Sequence, residues 1–384
     1  DSLSTADIEK LIDRVQRKTN RILIDVAANL DASELIELIR SVDQVVWVVT
    51  DRNWISSQQP LKTINQRSQA LRDKINLLWV LPGDQTHAPQ ADELRPLISR
   101  DFKLSFLEPP PDTGNVLKQG LERLVHHLRG IQIGVALGGG AARGMAHLGV
   151  LKALESSGIV VDMIAGTSAG AMSGTVYSAG MDIDYAIDRF VHDLRPGWFF
   201  RSIPRGDQWY LVHKYRRGQF DPMLRKYLGD ATLEQLPVPM HSITVDLIEG
   251  RAVMRDTGDA VCSIIESINL PGISVPINRD GRSLIDGGLM NNVPADVLVS
   301  LGCNFVIAVS VTAKIKNEFA RNKPDTPTDQ MRHASAVETI LRSYLVQSHG
   351  LNEFGVQPAD MVIEPDVTRF KLTDFVLTDQ LAEV

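Results

Sequence analysis

The chain has 384 residues, 43% of them hydrophobic and 23% charged, and a formal net charge of −7 at pH 7. This length and composition predict a folded protein of two domains, and the acidic balance argues against nucleic acid as a partner. The two cysteines, Cys262 and Cys303, lack the spacing of a metal site or a disulfide framework, which indicates a reducing compartment.

The ends of the chain and its apolar runs bear on location. No apolar run reaches the ~18 residues of a membrane-spanning helix. The chain begins at Asp1 rather than Met, without the charged and apolar regions of a signal peptide. We therefore expect a fragment of a longer protein, lacking a targeting or transmembrane segment. Its expected location is the cytoplasm or, as a peripheral protein, the cytoplasmic face of a membrane.

Residues 1–128 alternate short apolar runs with helical patterns. Asp31, with Glu34 three positions later, predicts a capped helix start. Near-continuous apolar strands separated by helices predict a small parallel sheet covered on both faces, that is, a Rossmann-like α/β module. The predicted strands are Ile22–Val26, Val45–Val49, Asn76–Val80 and Leu104–Leu107.

Within this module, Asp25 ends a predicted strand and Val45 to Asp51 forms the next one. In this respect the module resembles the later part of a ParA-like or MinD-like nucleotide-binding fold. No glycine-lysine phosphate loop precedes Asp25. The resemblance therefore implies a regulatory or degenerate nucleotide-binding module rather than an active NTPase. We expect the module to end at residue 128 and a second domain to span 129–384.

The second domain opens with a glycine-rich loop. Residues 131–136 predict a strand, residues 137–144 read Leu-Gly-Gly-Gly-Ala-Ala-Arg-Gly, and leucines at helical spacing follow. Such a loop presents successive backbone N–H groups to an anion, either a phosphate or the oxyanion of an acyl-transfer intermediate. No Gly-Lys-Ser/Thr follows the loop, and it has no good match to G-x-G-x-x-G. The sequence therefore favours the oxyanion interpretation.

Ser168 lies in a Gly-x-Ser-x-Gly pattern between a predicted strand and a run of small residues. This is the pattern of a nucleophile elbow, in which a strand turns sharply into a helix and exposes a serine hydroxyl. Gly166 and Gly170 are expected where backbone segments approach too closely for a Cβ atom. In isolation the pattern indicates only a turn. The glycine loop and the aspartate motif described below favour a catalytic serine.

An aromatic segment follows the elbow. It contains Trp198, Phe199, Phe200, Trp209 and Tyr210, with Arg195, Arg201 and Arg205 nearby. If these side chains are exposed, they suit a lipid–water interface. If they are buried, they form ordinary core beneath a helical hairpin. The sequence leaves both interpretations open.

Asp286 ends an apolar strand and begins an Asp-Gly-Gly motif with Gly287 and Gly288. Alone, such an aspartate indicates a turn. A catalytic serine, however, needs a base, and none of the nine histidines lies in a triad-like local pattern. His147, on the helix after the glycine loop, is expected to pack or cap. A desolvated carboxylate has a raised proton affinity, so Asp286 is the better candidate base.

The order of the three motifs, glycine loop, Gly-x-Ser-x-Gly and Asp-Gly-Gly, resembles the patatin-like phospholipase family, and within it the bacterial and neuropathy-target-esterase-like branch. The resemblance extends over roughly residues 131 to 375. It includes Gly149–Glu155, Ser267–Gly272 and Ala359–Asp366. The resemblance implies a patatin-like three-layer α/β/α catalytic domain, preceded by the smaller Rossmann-like module.

The resemblance also implies the chemistry of the site. Ser168 matches the nucleophile of the family, and Asp286 matches its partner in a Ser–Asp dyad. The oxyanion hole matches the glycine loop at Gly139, Gly140 and Ala141. Two features depart from the family pattern. Members commonly carry another glycine in place of Ala141, and the chain stops short of the helix that usually follows the last strand.

Arg143 matches an arginine beside the oxyanion hole of the family. It would hold the glycine loop or bind a phosphate of the substrate. The alternative is a surface arginine paired with a carboxylate, and the sequence does not separate these roles.

The predicted function is a serine lipid acyl hydrolase that cleaves carboxylic esters of phospholipids or lysophospholipids through an acyl-enzyme. No metal or other cofactor is expected, because no segment has the ligand spacing of a calcium loop. The expected partner is a membrane surface. Two alternatives remain: a lipid transacylase, and a latent regulatory or scaffolding fragment.

Overall fold

A computed structural model describes residues 30–83, 85–106, 114–203, 206–312 and 317–384, together with residue 315 and scattered positions between 10 and 26. The chain divides into two compact units. The first unit comprises residues 1–82 and 88–106, and the second comprises residues 83–87 and 107–384.

The helix Gly120–Leu128 packs in the second unit. Val116, just before it, is fully buried in the core of that unit, and Arg123 donates to the Val116 carbonyl. His126 Nδ1 lies 3.0 Å from Asp162 Oδ2. The contacts therefore divide the chain before this helix, whereas the predicted division at residues 128/129 follows it.

The first unit contains a parallel sheet with the order β1-β2-β3 in its described residues. The central strand is almost entirely buried, with Leu77 and Trp79 at 1% and 2% exposure, as expected for a parallel sheet covered on both faces. The elements are α1 (Ala32–Ser41), β1 (Val45–Thr50), α2 (Trp54–Arg67), β2 (Ile75–Leu81) and β3 (Arg100–Ser105), with 3-10 turns at Gln69–Lys74 and Arg95–Leu97. The predicted helix start is confirmed, because Asp31 and Glu34 form a reciprocal capping box.

Two strand predictions in this unit need correction. Residues 22–26 are not a strand, and Leu23 is 96% exposed. In the described residues no strand of the sheet pairs with this segment, and without a partner its hydrophobicity alone does not make it a strand. The last strand begins at Arg100 rather than Leu104, because it pairs with β2 from Asn76 onward. Residue 107 lies outside the described residues.

The second unit is built on a sheet that has eight strands in its described residues, in the order β11-β10-β4-β5-β6-β9-β8, with β7 also paired to β6. Strands β11, β10, β4, β5 and β6 are mutually parallel, whereas β7, β8 and β9 form antiparallel pairs. The strands are β4 (Ile133–Leu137), β5 (Met163–Thr167), β6 (Met240–Asp246), β7 (Arg251–Arg255), β8 (Ile277–Arg279), β9 (Arg282–Asp286), β10 (Phe305–Val309) and β11 (Met361–Ile363).

Helices cover both faces of this sheet. Val135 and Leu137 of β4 belong to one buried cluster and Ala136 belongs to another, because successive strand residues point to opposite faces. The second unit is therefore a three-layer α/β/α domain, and the predicted fold class is confirmed. Its helices are α3 (Gly120–Leu128), α4 (Ala146–Ser156), α5 (Ala169–Ser178), α6 (Ile183–Asp193), α7 (Trp198–Ser202), α8 (Gly206–Arg216), α9 (Phe220–Leu228), α10 (Ala260–Ser267), α11 (Ala295–Ser300), α12 (Ala336–Gly355) and α13 (Thr378–Ala382).

Candidate active site

Ser168 occupies the turn between β5 and α5. Its backbone has φ 54° and ψ −119°, a conformation that costs a non-glycine residue about 1–3 kcal/mol and persists only where the surroundings enforce it. The Ser168 N–H donates to Ser267 Oγ at 2.8 Å, and that hydroxyl donates to the Ile243 carbonyl at 2.6 Å. These hydrogen bonds, together with a completely buried helix α5, hold the strained turn in place.

Close backbone contacts account for the glycines on either side of Ser168. A Cβ atom on Gly166 would lie 2.6 Å from the Gly170 carbonyl oxygen, and one on Gly170 would overlap the carbonyl group of Leu137. Backbone atoms cannot move aside as the end of a side chain can. The strand and helix therefore meet closely because both positions lack a side chain.

The pairing of three strands brings Asp286 next to Ser168. Strand β7 pairs with one edge of β6, so β5 and β9 share the other edge. There Thr167 pairs with Ile243, and Asp286 pairs with the next residue, Thr244. The two strands run in opposite directions toward this point, so the residue after Thr167 and the last residue of β9 meet.

The Asp286 carboxylate is fully buried. Its Oδ1 atom accepts hydrogen bonds from the Gly288 N–H and the Tyr344 hydroxyl, both at 2.8 Å. Its Oδ2 atom is buried and accepts no hydrogen bond from any residue that the structure describes. Burial raises the pKa of Asp286 to about 6, although the Ser168 hydroxyl, the Gly288 N–H and the Tyr344 hydroxyl lower it. No hydrogen bond of normal length joins Ser168 and Asp286, as is common for catalytic pairs before substrate binds.

The glycine loop lies against Ser168, since a Cβ atom on Gly139 would come within 3.3 Å of Ser168 Cβ. The Gly139 N–H donates to the Asn292 carbonyl at 3.0 Å. The predicted role of Gly139 as an oxyanion donor therefore needs correction, because its amide is already used. The amides of Gly140 and Ala141 donate to no residue within the described part of the chain. They are the loop donors available to an anion.

Ala141 has a φ of 49°. This left-handed conformation favours glycine, because a Cβ atom crowds the following carbonyl. The backbone of this position thus explains why a glycine is common there in the family that the sequence resembles. Ala141 keeps the N–H of that glycine at the cost of backbone strain.

Arg143 and His147 fix the glycine loop through side-chain hydrogen bonds. Arg143 is half-buried, and its Nε donates to the Phe370 carbonyl at 2.9 Å; burial lowers its pKa, while Asp374 raises it. His147 is fully buried and its Nε2 donates to the Gly138 carbonyl at 2.7 Å. Burial lowers the pKa of His147 to about 4, so it is neutral at pH 7. These contacts give His147 a packing role, as expected.

The sequence did not indicate the part that helix α12 plays at the site. Besides the hydrogen bond of Tyr344 to Asp286, Ser348 Oγ donates to the Gly288 carbonyl at 2.9 Å. Ser267, which accepts from the Ser168 N–H, was likewise missed as a site residue. Ser267 begins one of the segments that carry the family resemblance, but no motif marks Tyr344 or Ser348, which reach the site through tertiary packing from a segment remote in the chain.

A cavity of about 350 Å³ adjoins this region. Its wall is mainly apolar and includes Phe220, Ile265 and Ile268. Asn269 also lines the cavity, and its carbonyl accepts a hydrogen bond from the Asp286 N–H at 3.0 Å. Tyr215 lines it as well; burial raises the pKa of Tyr215, and the charge of Asp286 adds to that shift. The cavity thus borders the immediate neighbours of Asp286.

The aromatic segment divides between the two interpretations of its sequence. Trp198, Phe199 and Trp209 are 76%, 56% and 59% exposed. Phe200 and Tyr210 pack against each other, with ring centroids 5.4 Å apart. Residue 205 lies outside the described residues. The segment therefore has a small aromatic contact of its own and an exposed apolar surface.

No group of three or more His, Cys, Asp or Glu side chains in the described part of the chain is arranged to hold a metal ion. None of the helices in that part of the chain combines the length and the apolar character needed to span a membrane.

The sequence that forms this site is similar to the sequences of known proteins. A family model described as patatin-like phospholipase matches residues 135–299. This range includes Ser168, Asp286, the whole glycine loop and most of the strand before the loop. Residues 135–299 are therefore similar to the patatin-like phospholipase domain. This finding confirms the family expected from the three motifs.

Relatives of the patatin-like domain carry names of the NTE family. An uncharacterized NTE family protein of Mycobacterium tuberculosis is 29% identical over 277 residues, which cover 69% of this chain and 47% of the relative. The neuropathy target esterase sws of Drosophila melanogaster is 34% identical over 194 residues, 49% of this chain and 13% of the relative. The lysophospholipase NTE1 of Mycosarcoma maydis is 35% identical over 193 residues, 49% of this chain and 10% of the relative. The chain thus spans about half the length of the first of these relatives and less of the other two.

Among solved structures, VipD from Legionella pneumophila is similar over 47% of this chain and 49% of its own, with a TM-score of 0.31 and 17% sequence identity. The NTE names of these relatives agree with the branch that the sequence resemblance implied.

Proposed function

We propose that the chain is a serine lipid acyl hydrolase in which Ser168 is the nucleophile and Asp286 is the general base. The observation that carries this proposal is the buried Asp286 Oδ2, which has no hydrogen-bond partner among the described residues. This oxygen belongs to the carboxylate whose pKa the Ser168 hydroxyl lowers. A buried acceptor without a partner is costly, and functional sites account for many such atoms. A proton from Ser168 would satisfy it.

In the first half of the reaction, Ser168 Oγ attacks the carbonyl carbon of the ester, and its proton passes to Asp286. The carbonyl oxygen becomes an oxyanion. When the tetrahedral intermediate collapses, the ester C–O bond breaks, and Asp286 returns the proton to the departing lipid alcohol. The acyl group remains on Ser168 as an ester.

In the second half, water takes the place of the alcohol. Asp286 accepts a proton from the attacking water, a second oxyanion forms, and its collapse breaks the bond between the acyl group and Ser168 Oγ. The proton returns to Ser168, and a fatty acid leaves. Each half uses the same base and consumes no cofactor.

The oxyanion is stabilised by backbone amides of the glycine loop. Gly140 and Ala141 are the proposed donors, because both amides donate no hydrogen bond within the described residues and the loop lies against Ser168. The dyad lacks the histidine that serves as the base in the Ser-His-Asp arrangement. These donors therefore carry a large share of the rate, since one oxyanion donor contributes about 3–4 kcal/mol in well-studied hydrolases.

The proposed substrates are phospholipids or lysophospholipids at a membrane surface. The mainly apolar cavity that borders neighbours of Asp286 suits an acyl chain. Trp198, Phe199 and Trp209 are exposed on the same unit, and aromatic side chains favour the lipid–water boundary. The printed names of relatives include lysophospholipase and esterase. We propose a peripheral location on the cytoplasmic face of a membrane, and a regulatory role for the N-terminal module.

The test uses the hydroxyl of Ser168 and a matched serine. Wild-type protein and Ser173→Ala should be labelled by a fluorophosphonate and should hydrolyse lysophospholipid vesicles, whereas Ser168→Ala should do neither. Ser173 is a suitable control because it is buried on α5, the helix that follows Ser168, and within the described residues its hydroxyl donates only to the Gly144 carbonyl, at 3.3 Å. Intact-mass measurement should detect the acyl-enzyme on Ser168.

Three outcomes would replace the proposal. Hydrolysis by a folded Ser168→Ala variant would exclude Ser168 as the nucleophile. A folded wild-type protein that neither takes up the fluorophosphonate nor turns over any lipid would favour a latent scaffold. Transfer of the acyl group to an added lipid alcohol in preference to water would favour a transacylase.

A further inference from the structure

Tyr344 reaches the dyad from a helix that lies outside the three sequence motifs. It belongs to α12, and its hydroxyl donates to Asp286 Oδ1 at 2.8 Å. The Gly288 N–H donates to the same oxygen at the same distance. Two donors therefore occupy Oδ1, and the buried Oδ2 is left without a partner in the described residues.

The second glycine of the Asp-Gly-Gly motif makes room for this contact. A Cβ atom on Gly288 would overlap the Tyr344 hydroxyl and lie 3.2 Å from Asp286 Oδ1. Ser348, one turn after Tyr344 on the same helix, donates to the Gly288 carbonyl at 2.9 Å. Helix α12 is thus attached to the aspartate turn at two points, one on the base itself and one on the backbone beside it.

We infer that Tyr344 is a positioning residue that holds Oδ1 of the general base, so that Oδ2 remains directed to Ser168 and unoccupied. The inference rests on the proposed function, because it assigns a partner to the base of that reaction. Carboxylate oxygens turn about the Cβ–Cγ bond, and two donors fixed to one oxygen prevent that rotation. Tyr344 touches neither the serine nor the substrate carbon in this role.

The titratable groups that interact with Asp286 keep one charge state over the working pH range. Burial raises the pKa of Tyr344 well above its usual range and also raises that of Tyr215, so both phenols stay neutral below pH 9. No charged side chain of the described residues contributes to the pKa shift of Asp286. The acidic limb of the pH profile should therefore follow the ionisation of Asp286, which must be ionised to accept a proton.

Removal of the phenol hydroxyl should move this limb. The hydrogen bond from Tyr344 lowers the pKa of Asp286, so Tyr344→Phe should raise it and shift the acidic limb of kcat/KM upward by about one pH unit. The loss of activity should be several-fold at pH 6 and smaller at pH 8.5, with most of it in kcat rather than KM. The rate of fluorophosphonate labelling should shift in parallel, because it also depends on the base.

Ser348→Ala is the matched control. It removes a hydrogen bond from the same helix to the same turn but not to the carboxylate. Because the Ser348 hydroxyl also lowers the pKa of Tyr344, any shift in this variant should be much smaller than in Tyr344→Phe. If α12 only stabilises the aspartate turn, both variants should lose activity equally at all pH values. The acidic limb of kcat/KM should then stay at the same pH. An unshifted limb in Tyr344→Phe, or an equal shift in Ser348→Ala, would overturn the inference.

A second variant applies if Tyr344→Phe does not fold. Site-specific 3-fluorotyrosine at position 344 keeps the hydroxyl and makes it a stronger donor, so the limb should move to lower pH; no movement would again reject the role. Ser168→Ala separates the two proposals. Activity in Ser168→Ala would remove the proposed function, whereas an inactive Ser168→Ala with an unshifted Tyr344→Phe would remove only the inference about Tyr344.

Discussion

The two halves of the dyad are held in different ways. Ser168 is held by backbone, because Gly166 and Gly170 allow strand and helix to meet at distances that exclude a Cβ atom. Asp286 is held by groups from elsewhere: the Tyr344 hydroxyl comes from a helix 58 residues further along the chain. Changes to the glycines beside Ser168 should therefore act through folding, and changes to the donors around Asp286 should act through its proton affinity.

This difference has a physical reason. A nucleophile must be fixed against a carbonyl carbon, and a strained turn with no freedom does that. A base must also have a suitable proton affinity, which depends on how many donors and how much water surround it. The fully buried Asp286 has a pKa of about 6, close to the pH at which it would work.

The largest effect is expected from Asp286→Asn. The substitution removes the base and should lower kcat by about 10²- to 10⁴-fold. It should also stabilise the fold at high pH. The folded-state pKa of Asp286 is raised to about 6 from 3.8, so the stability associated with its proton is complete below pH 4 and is lost as pH rises through 6.

Asparagine does not ionise, so the variant keeps the stability that the wild type loses when Asp286 gives up its proton. Its advantage in unfolding free energy over wild type should grow by about 3 kcal/mol between pH 4 and pH 8. Denaturant unfolding at the two pH values measures this change. A constant difference across that range would mean that Asp286 does not have a raised pKa, and would remove the proposed distinction between the two halves.

Gly170→Ala should lower stability, and activity should fall only as a consequence of that loss. The new Cβ atom would overlap the Leu137 carbonyl, so we expect a loss of about 3 kcal/mol or more in stability, with activity falling because less protein is folded. Gly197→Ala is the control, since its φ is −59° and a Cβ there meets nothing within 4 Å. A Gly170→Ala variant of normal melting temperature would contradict the backbone account of the serine side.

The sequence predicted the serine side in more detail than the aspartate side. The strand, turn and helix around Ser168 are adjacent in the chain, so their periodicity and glycines indicate the local geometry. The three-layer fold was expected from the family resemblance of the motifs, whereas the alternation of apolar strands with helices predicted only the smaller N-terminal module. Tyr344 gave no signal, since a tyrosine in a helix is ordinarily a packing residue and its partner is remote.

The same reasoning explains two corrections. The Gly139 amide was assigned to the oxyanion hole on the pattern of the loop, but it donates to the carbonyl of Asn292, which is distant in sequence. Residues 22–26 have the composition of a strand, but pairing decides whether a strand forms, and composition does not report pairing. A long-range backbone hydrogen bond decided the first outcome, and the lack of strand pairing in the described residues decided the second.

The smallest expected effect tests whether strain on the serine side extends to the glycine loop. Ala141 has a φ of 49°, so Ala141→Gly should relieve crowding and raise stability by about 1 kcal/mol. The N–H proposed to bind the oxyanion is retained, so kcat should change less than about twofold. Ala320 has a φ of 50° and is the control: Ala320→Gly should give a similar gain in melting temperature and leave activity unchanged. If Ala141→Gly instead lowers kcat strongly while Ala320→Gly does not, the strained alanine itself orients the oxyanion donor, and backbone strain on the serine side would serve catalysis as well as geometry.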